Sequence, residues 1–152
     1  MVKIFLLLNL LLFASLSNAQ LIETKDPKAL CSNGEQATFT FFEGNTNNWL
    51  MYIQGGGVAA NEDQYRSRNN GLKSPAVSNE RGKTFMVEDF INNNYNVIYI
   101  PYCSNDIHQG THVNNIDGKK VYFHGRYIIE DIFNQYDDCL LYTSPSPRDL
   151  ST

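Results

Sequence analysis

Concentrated positive charge is what this 152-residue chain lacks first. Its 12 Lys and Arg residues are scattered and outnumbered by 16 Asp and Glu, for a net charge of −4 and a pI near 5.3. A phosphate backbone is held by clustered cations, so the balance argues against a nucleic-acid partner or anionic lipid. Metal-site spacing is also missing: His108, His112 and His124 do not stand with the three cysteines as zinc ligands would, so no metal is expected. There is no Asn-x-Ser/Thr sequon, no Gly-x-Ser-x-Gly elbow, and neither glycine pattern that cradles nucleotide phosphates. Beyond the N-terminus no apolar run nears the about 20 residues that a membrane span requires.

The one long apolar run comes first. Lys3 precedes Ile4 to Leu16, which only Asn9 and Ser15 interrupt, and Ser17-Asn18-Ala19 supplies small residues for a signal peptidase. This predicts a cleaved signal peptide over 1–19, a mature chain from Gln20 and an extracellular protein.

The far end has its own signature. Cys139 to Asp149 reads Cys-Leu-Leu-Tyr-Thr-Ser-Pro-Ser-Pro-Arg-Asp. This resembles, residue for residue, the translation of a transposase adapter used in sequencing libraries. The alternative is a natural Ser/Pro-rich linker. The expectation is therefore that 20–138 is native and 139–152 is artefactual. Cys31 and Cys103 then form an even pair, either bonded to each other, as oxidising export favours, or left as buried thiols.

Between these ends, Gln36 to Glu43, Trp49 to Ile53 and Asn96 to Ile100 read as strands. The last two are continuous apolar runs, expected to be buried on both faces of a helix-covered sheet. Ala60 to Asn94 reads as mixed and turn-rich, with a helical turn over Val87 to Ile91. Gly125, Ile128, Ile129, Ile132, Phe133 and Tyr136 recur at helix spacing, opposite Glu130, Asp131, Asn134 and Gln135. Strand, glycine loop, crossover, strand and helix predict an α/β fold.

Gly55-Gly56-Gly57, directly after a strand, is the most informative local feature. Without a Cβ, its backbone N–H groups can approach a ligand closely. Such groups stabilise the oxyanion of an acyl-transfer intermediate, although three glycines also make an ordinary tight turn.

Four motifs in order carry a family resemblance. Asn48 to Gly57 resembles the strand and glycine-rich loop of the pectin acetylesterase family, which includes the Notum-type carboxylesterases. Ile98 to Asp106, followed by Gly110, is similar to that family's second signature. Phe123 to Ile129 is similar to the segment opening its next helix, and Cys31-Ser32-Asn33-Gly34 to its start.

The resemblance implies a secreted α/β-hydrolase with a Ser-Asp-His triad and no cofactor. It implies a bond between Cys31 and Cys103, and an oxyanion hole in which Gly56 and Gly57 donate. Its substrates would be esters, acetyl groups on a glycan or acyl groups on a protein. The nucleophile elbow would follow the helix ending near Tyr136, so this chain is expected to stop before it and to be inactive alone. Where the family has Trp and then Cys after the glycines, this chain has Val58 and Ala59. The partner cysteine, six positions later, is Tyr65. The alternative function is a non-catalytic secreted binding protein of the same fold.

Several other residues read more plainly. Trp49 is expected in the core and His124 as structural; His108 and His112 are conceivable substrate contacts near the Asp106 loop but read first as solvated loop residues. Glu88-Asp89 and Asp137-Asp138 read as surface, while Arg66 and Arg68 are conceivable contacts for a carboxylated sugar.

Overall fold

The computed structural model describes residues 19–68 and 87–141, so the expected signal peptide up to residue 18 and the expected artefactual tail from residue 142 lie outside the described residues. Four strands form one mixed sheet: β1 (Ala19–Glu23), β2 (Thr38–Phe42), β3 (Trp49–Ile53) and β4 (Asn96–Ile100). Their order is β1-β2-β4-β3. β2 runs antiparallel to both β1 and β4, whereas β3 and β4 are parallel, with Trp49 opposite Asn96 and Ile53 opposite Ile100. A parallel pair needs a crossover, and the chain between them holds α1 (Glu62–Arg68) and α2 (Glu88–Asn92). Asn94, at φ 61°, follows the end of α2 in the left-handed region that asparagine tolerates. After β4 comes a separate hairpin, β5 (His112–Ile116) and β6 (Lys119–Phe123), then α3 (Gly125–Leu141).

Alternation along the strands divides the core in two. Phe39, Ile98 and Ile100 face α3, where they pack with Ile128, Ile132 and the Cys31–Cys103 pair. Phe42, Val97 and Tyr99 face the other way and pack with Val87 and the half-buried Ile91. Burying each of these large side chains is worth roughly 1.5–3 kcal/mol. Trp49 is half-buried and packs against this core, stacked on Phe41 at 5.8 Å and tilted against Tyr136 at 5.9 Å.

Four expectations need correction. Every residue of β4 is buried, but β3 is an edge strand with half-buried residues and Ile53 exposed, because among the described residues nothing pairs with its outer side. Phe133 is 42% exposed, since the buried line of α3 runs through Ile128 and Ile132 and leaves the border of the apolar stripe in solvent. Asp131 is no mere surface residue: its carboxylate accepts the N–H groups of Lys25 and Asp26 at 2.8 and 3.0 Å, tying the segment after β1 to α3. Finally, α3 continues past Tyr136 to Leu141, because Cys139-Leu140-Leu141 contains no residue that breaks a helix.

Cys31 and Cys103 are bonded, at an S–S distance of 2.05 Å and a Cα–Cα distance of 5.0 Å. Ser32 N–H donates to Cys103 O at 2.9 Å, and Tyr122 N–H to Ser32 O at 3.1 Å, so the hairpin and the end of β4 meet at this crosslink.

Candidate active site

The glycine loop leaves the sheet at the carboxyl ends of β3 and β4, where α/β sheets hold their ligands. Gln54 N–H donates to Ile100 O at 2.9 Å, one step beyond the paired strands, and the Gln54 side-chain oxygen accepts Tyr102 N–H at 3.1 Å. Gly55, Gly56 and Gly57 are all exposed. Gly56 lies flat against the Tyr102 ring, where a Cβ would sit 1.6 Å from a ring carbon. The Tyr102 hydroxyl donates to Gly57 O at 2.7 Å and accepts Ile107 N–H at 2.8 Å. Burial pushes the Tyr102 phenol above its ordinary value, against the bond from Ile107.

This anchoring orients the loop. The Gly57–Val58 peptide is planar and trans, so pinning the Gly57 carbonyl to Tyr102 directs the Val58 N–H the opposite way. Among the described residues, no acceptor is recorded for the N–H groups of Gly56, Gly57 or Val58, whereas Ala59 N–H is already committed to Asn105 O at 3.0 Å. Val58 thus joins the two glycines as a possible donor, which no side-chain pattern could reveal. Arg68 closes the loop from the other side, its guanidinium donating to Val58 O at 3.1 Å.

Facing the loop is the turn after β4. Asn105, Ile107 and His108 have φ of 60°, 55° and 59°, a left-handed run that glycine alone adopts freely. Asp106 holds it. Its buried carboxylate accepts the Ser104 hydroxyl and the N–H groups of His108 at 3.0 Å, Gly110 at 3.1 Å and Gly125 at 2.7 Å. His108 is half-buried rather than solvated: its Nε2 donates to Gln54 O at 3.0 Å, and its ring packs on Tyr102 at 4.8 Å. Ser104, Asp106 and His108 nevertheless form no triad. Ser104 is fully buried and points at the carboxylate, and the recorded bonds of Ser32, Ser67 and Ser104 do not reach a histidine.

The remaining candidates sort as follows. His124 is structural, with Nδ1 on Lys28 O at 2.7 Å. His112 is exposed and stacked on Phe123 at 4.8 Å with ring planes 6° apart. Glu88 and Asp89 are exposed on the first turn of α2. Arg66 is occupied by Glu62 and Asp63 at 2.8 Å and Asp117 at 2.9 Å, and its bond to Asp117 holds that carboxyl below the usual range. Tyr65 is buried with Ile116, Val121 and Phe123, and Ala59 packs against the same group. The two positions where the resemblance implies a disulfide therefore share an apolar cluster instead.

The hairpin that carries part of this cluster was legible but missed. Asp117-Gly118, at φ 53° and 73°, is a two-residue turn of the type that right-twisted strands favour, and Asp-Gly is its usual sequence.

A mixed sheet in the order β1-β2-β4-β3, with α3 on one face and α2 on the other, makes this an α/β-hydrolase-type fold. Two crystal forms of the Wnt deacylase Notum from Drosophila share it, with TM-scores of 0.62 and 0.63 at 20% identity. They align over 84% of this chain and 40% and 39% of their own. The palmitoleoyl-protein carboxylesterase NOTUM of Schmidtea mediterranea is 31% identical over 114 residues, 67% of this chain. The chain spans 21% of the length of that curated relative. The pectinacetylesterase family profile matches residues 14–138, and the chain belongs to that family.

Proposed function

We propose that residues 20–138 are the N-terminal part of a secreted serine carboxylesterase whose nucleophile lies beyond Asp138, and that the segment from Cys139 is foreign to it. The observation that carries this reading is the glycine loop at the carboxyl end of β3, where among the described residues the N–H groups of Gly56, Gly57 and Val58 have no acceptor. Serine attack on an ester carbonyl forms a tetrahedral oxyanion, which collapses to an acyl-enzyme that water then hydrolyses. Each well-placed N–H donor is worth about 3 kcal/mol in that step. Among the described residues the outer edge of β3 is unpaired, which supports a continuing sheet, and the family match ends at residue 138.

The substrate is an ester, and no cofactor is called for. The family's name points to acetyl groups on a glycan, and the name of the NOTUM relative to an acyl group on a protein. The Cys31–Cys103 bond supports an oxidising, extracellular setting. Replacement of the loop's Trp and Cys by Val58 and Ala59 favours a second reading, a non-catalytic binding protein of the same fold.

Reading the transcript past Asp138 and assaying the encoded protein on p-nitrophenyl acetate separates the two. A Gly-x-Ser-x-Gly elbow, with hydrolysis abolished by alanine at its serine, is expected. A substituted serine and no hydrolysis would leave the binding protein.

A further inference from the structure

A positive charge lies on the glycine loop, supplied from another element. Arg68, the last residue of α1, lays its guanidinium against Gly57, where a Cβ would fall 2.2 Å from one terminal nitrogen and 2.6 Å from the other. Glycine at this position leaves open the space that the guanidinium fills. The Arg68 side chain is half-buried. It donates to Val58 O at 3.1 Å, and among the described residues no carboxylate pairs with it. Arg66, on the same helix, is bonded to Glu62, Asp63 and Asp117. Arg66 thus fastens α1, while Arg68 presents its charge to a neutral carbonyl of the loop.

The helix that delivers this charge is firmly placed. Tyr65 is buried with Ile116, Val121 and Phe123, and Arg66 grips both oxygens of Asp117 at 2.9 Å, so α1 is fixed to the β5–β6 hairpin. At the loop, the Val58–Ala59 peptide is held on both sides: Arg68 donates to its carbonyl, and its N–H donates to Asn105 O at 3.0 Å. The preceding peptide has its carbonyl on the Tyr102 hydroxyl at 2.7 Å. Two planar peptides pinned in this way fix the direction of the Val58 N–H between them. A guanidinium keeps its charge through the working pH range, and away from bulk water its field is screened less.

We propose that Arg68 makes the glycine loop an anion site by holding a positive charge beside the N–H groups of Gly57 and Val58. Resting on the esterase reading above, the anion is the tetrahedral oxyanion. Arg68 is then a positioning residue, acting through the Val58 peptide and through its field. That field matters most as negative charge develops on the former carbonyl oxygen, so its effect belongs to kcat and not to the KM of a neutral ester.

The test assays the full-length parent on p-nitrophenyl acetate with Arg68→Gln, Arg68→Met and Arg68→Lys. Gln keeps a donor without the charge, Met keeps the apolar stem alone, and Lys keeps the charge. Each neutral variant is expected to lower kcat about tenfold. KM should stay within about twofold, the pattern of an interaction made in the transition state. Affinity for phenylboronic acid, whose adduct with a serine is a tetrahedral anion, falls by the same factor as kcat, and Lys recovers part of both. If one neutral variant fails to fold, the other decides. An unchanged kcat in the neutral variants, or a Lys variant no better than Gln, overturns the proposal. So does a raised KM at constant kcat, which would make Arg68 a contact for the bound ester. If the unaltered parent cleaves no ester, the esterase reading falls, and an NMR titration of labelled tyrosine decides the charge alone, with Tyr102→Phe identifying the signal. Burial raises the Tyr102 phenol and the Arg68 charge lowers it, so Arg68→Gln is expected to move that titration to higher pH. An upward move keeps the anion site, and no move ends it.

Discussion

The Asp106 carboxylate accepts the backbone N–H of Gly125 at 2.7 Å, and this bond sets the start of α3. Helix N-termini leave N–H groups unpaired and favour a negative charge, and Asp106 meets both needs from 19 residues away. The approach requires glycine: a Cβ on Gly125 would lie 2.3 Å from one carboxylate oxygen, and one on Gly110 2.5 Å from the other. Asp106→Ala leaves several buried donors without an acceptor and is expected to cost about 3 kcal/mol. Urea denaturation measures it, and a loss below about 1 kcal/mol would show that water replaces the carboxylate.

The glycines of the loop are not equivalent. A Cβ on Gly55 meets nothing within 4 Å, whereas one on Gly56 collides with the Tyr102 ring. Gly55→Ala is therefore expected to change stability by no more than about 0.5 kcal/mol. Gly56→Ala must push Tyr102 off Gly57 and Ile107, at about 2–3 kcal/mol. Equal effects in paired thermal melts would mean that the loop does not rest on Tyr102.

The Cys31–Cys103 bond closes a span of 72 residues and lies in the core beneath α3. In the chain-entropy account its loss costs about 4 kcal/mol. The comparison is between the urea midpoints of the oxidised protein and of the Cys31→Ala, Cys103→Ala double variant. Coincident midpoints would show that the bond adds no net stability, against the chain-entropy account.

Tyr65 and Tyr102 both have phenols raised above the ordinary tyrosine value of 10.0, each chiefly by burial. A group whose folded pKa lies above its unfolded one contributes stability that is complete below the unfolded value and lost as pH rises through the folded one. Stability is therefore expected to decline above about pH 10. Tyr65→Phe together with Tyr102→Phe should flatten that decline. Phenolate absorbance appearing at the unfolded value in the native protein would contradict it.

How much was legible depends on where each signal is written. The runs Trp49 to Ile53 and Asn96 to Ile100 are the strands residue for residue, because a short run of β-branched, aromatic and other apolar residues bounded by turn residues favours extended backbone whether it lies at the edge or the centre of the sheet. β5 is nearly silent: of its residues only Ile116 is buried, so no alternation shows, and the Asp117-Gly118 turn is its one clear mark. The glycine loop announced itself by composition. Its anchoring did not, because Tyr102 lies 45 positions from Gly57 and acts through a backbone carbonyl. The same holds for Asp106, whose partners are N–H groups that every residue carries. Backbone chemistry leaves no trace in residue types except where it excludes a Cβ, and Gly56, Gly110 and Gly125 are those traces.

Ile107 places backbone strain in the turn after β4. A β-branched residue at φ 55° is rare, and a left-handed non-glycine position costs about 1–3 kcal/mol. The side chain is 57% exposed, so little burial offsets that cost. Ile107→Gly relieves the backbone while retaining the N–H that donates to Tyr102. After the extra freedom glycine gives the unfolded chain, a net gain of about 1 kcal/mol is expected, a rise of roughly 4 °C in Tm. A melting point that falls would show that the Ile107 side chain itself holds the turn, and that packing maintains the left-handed run.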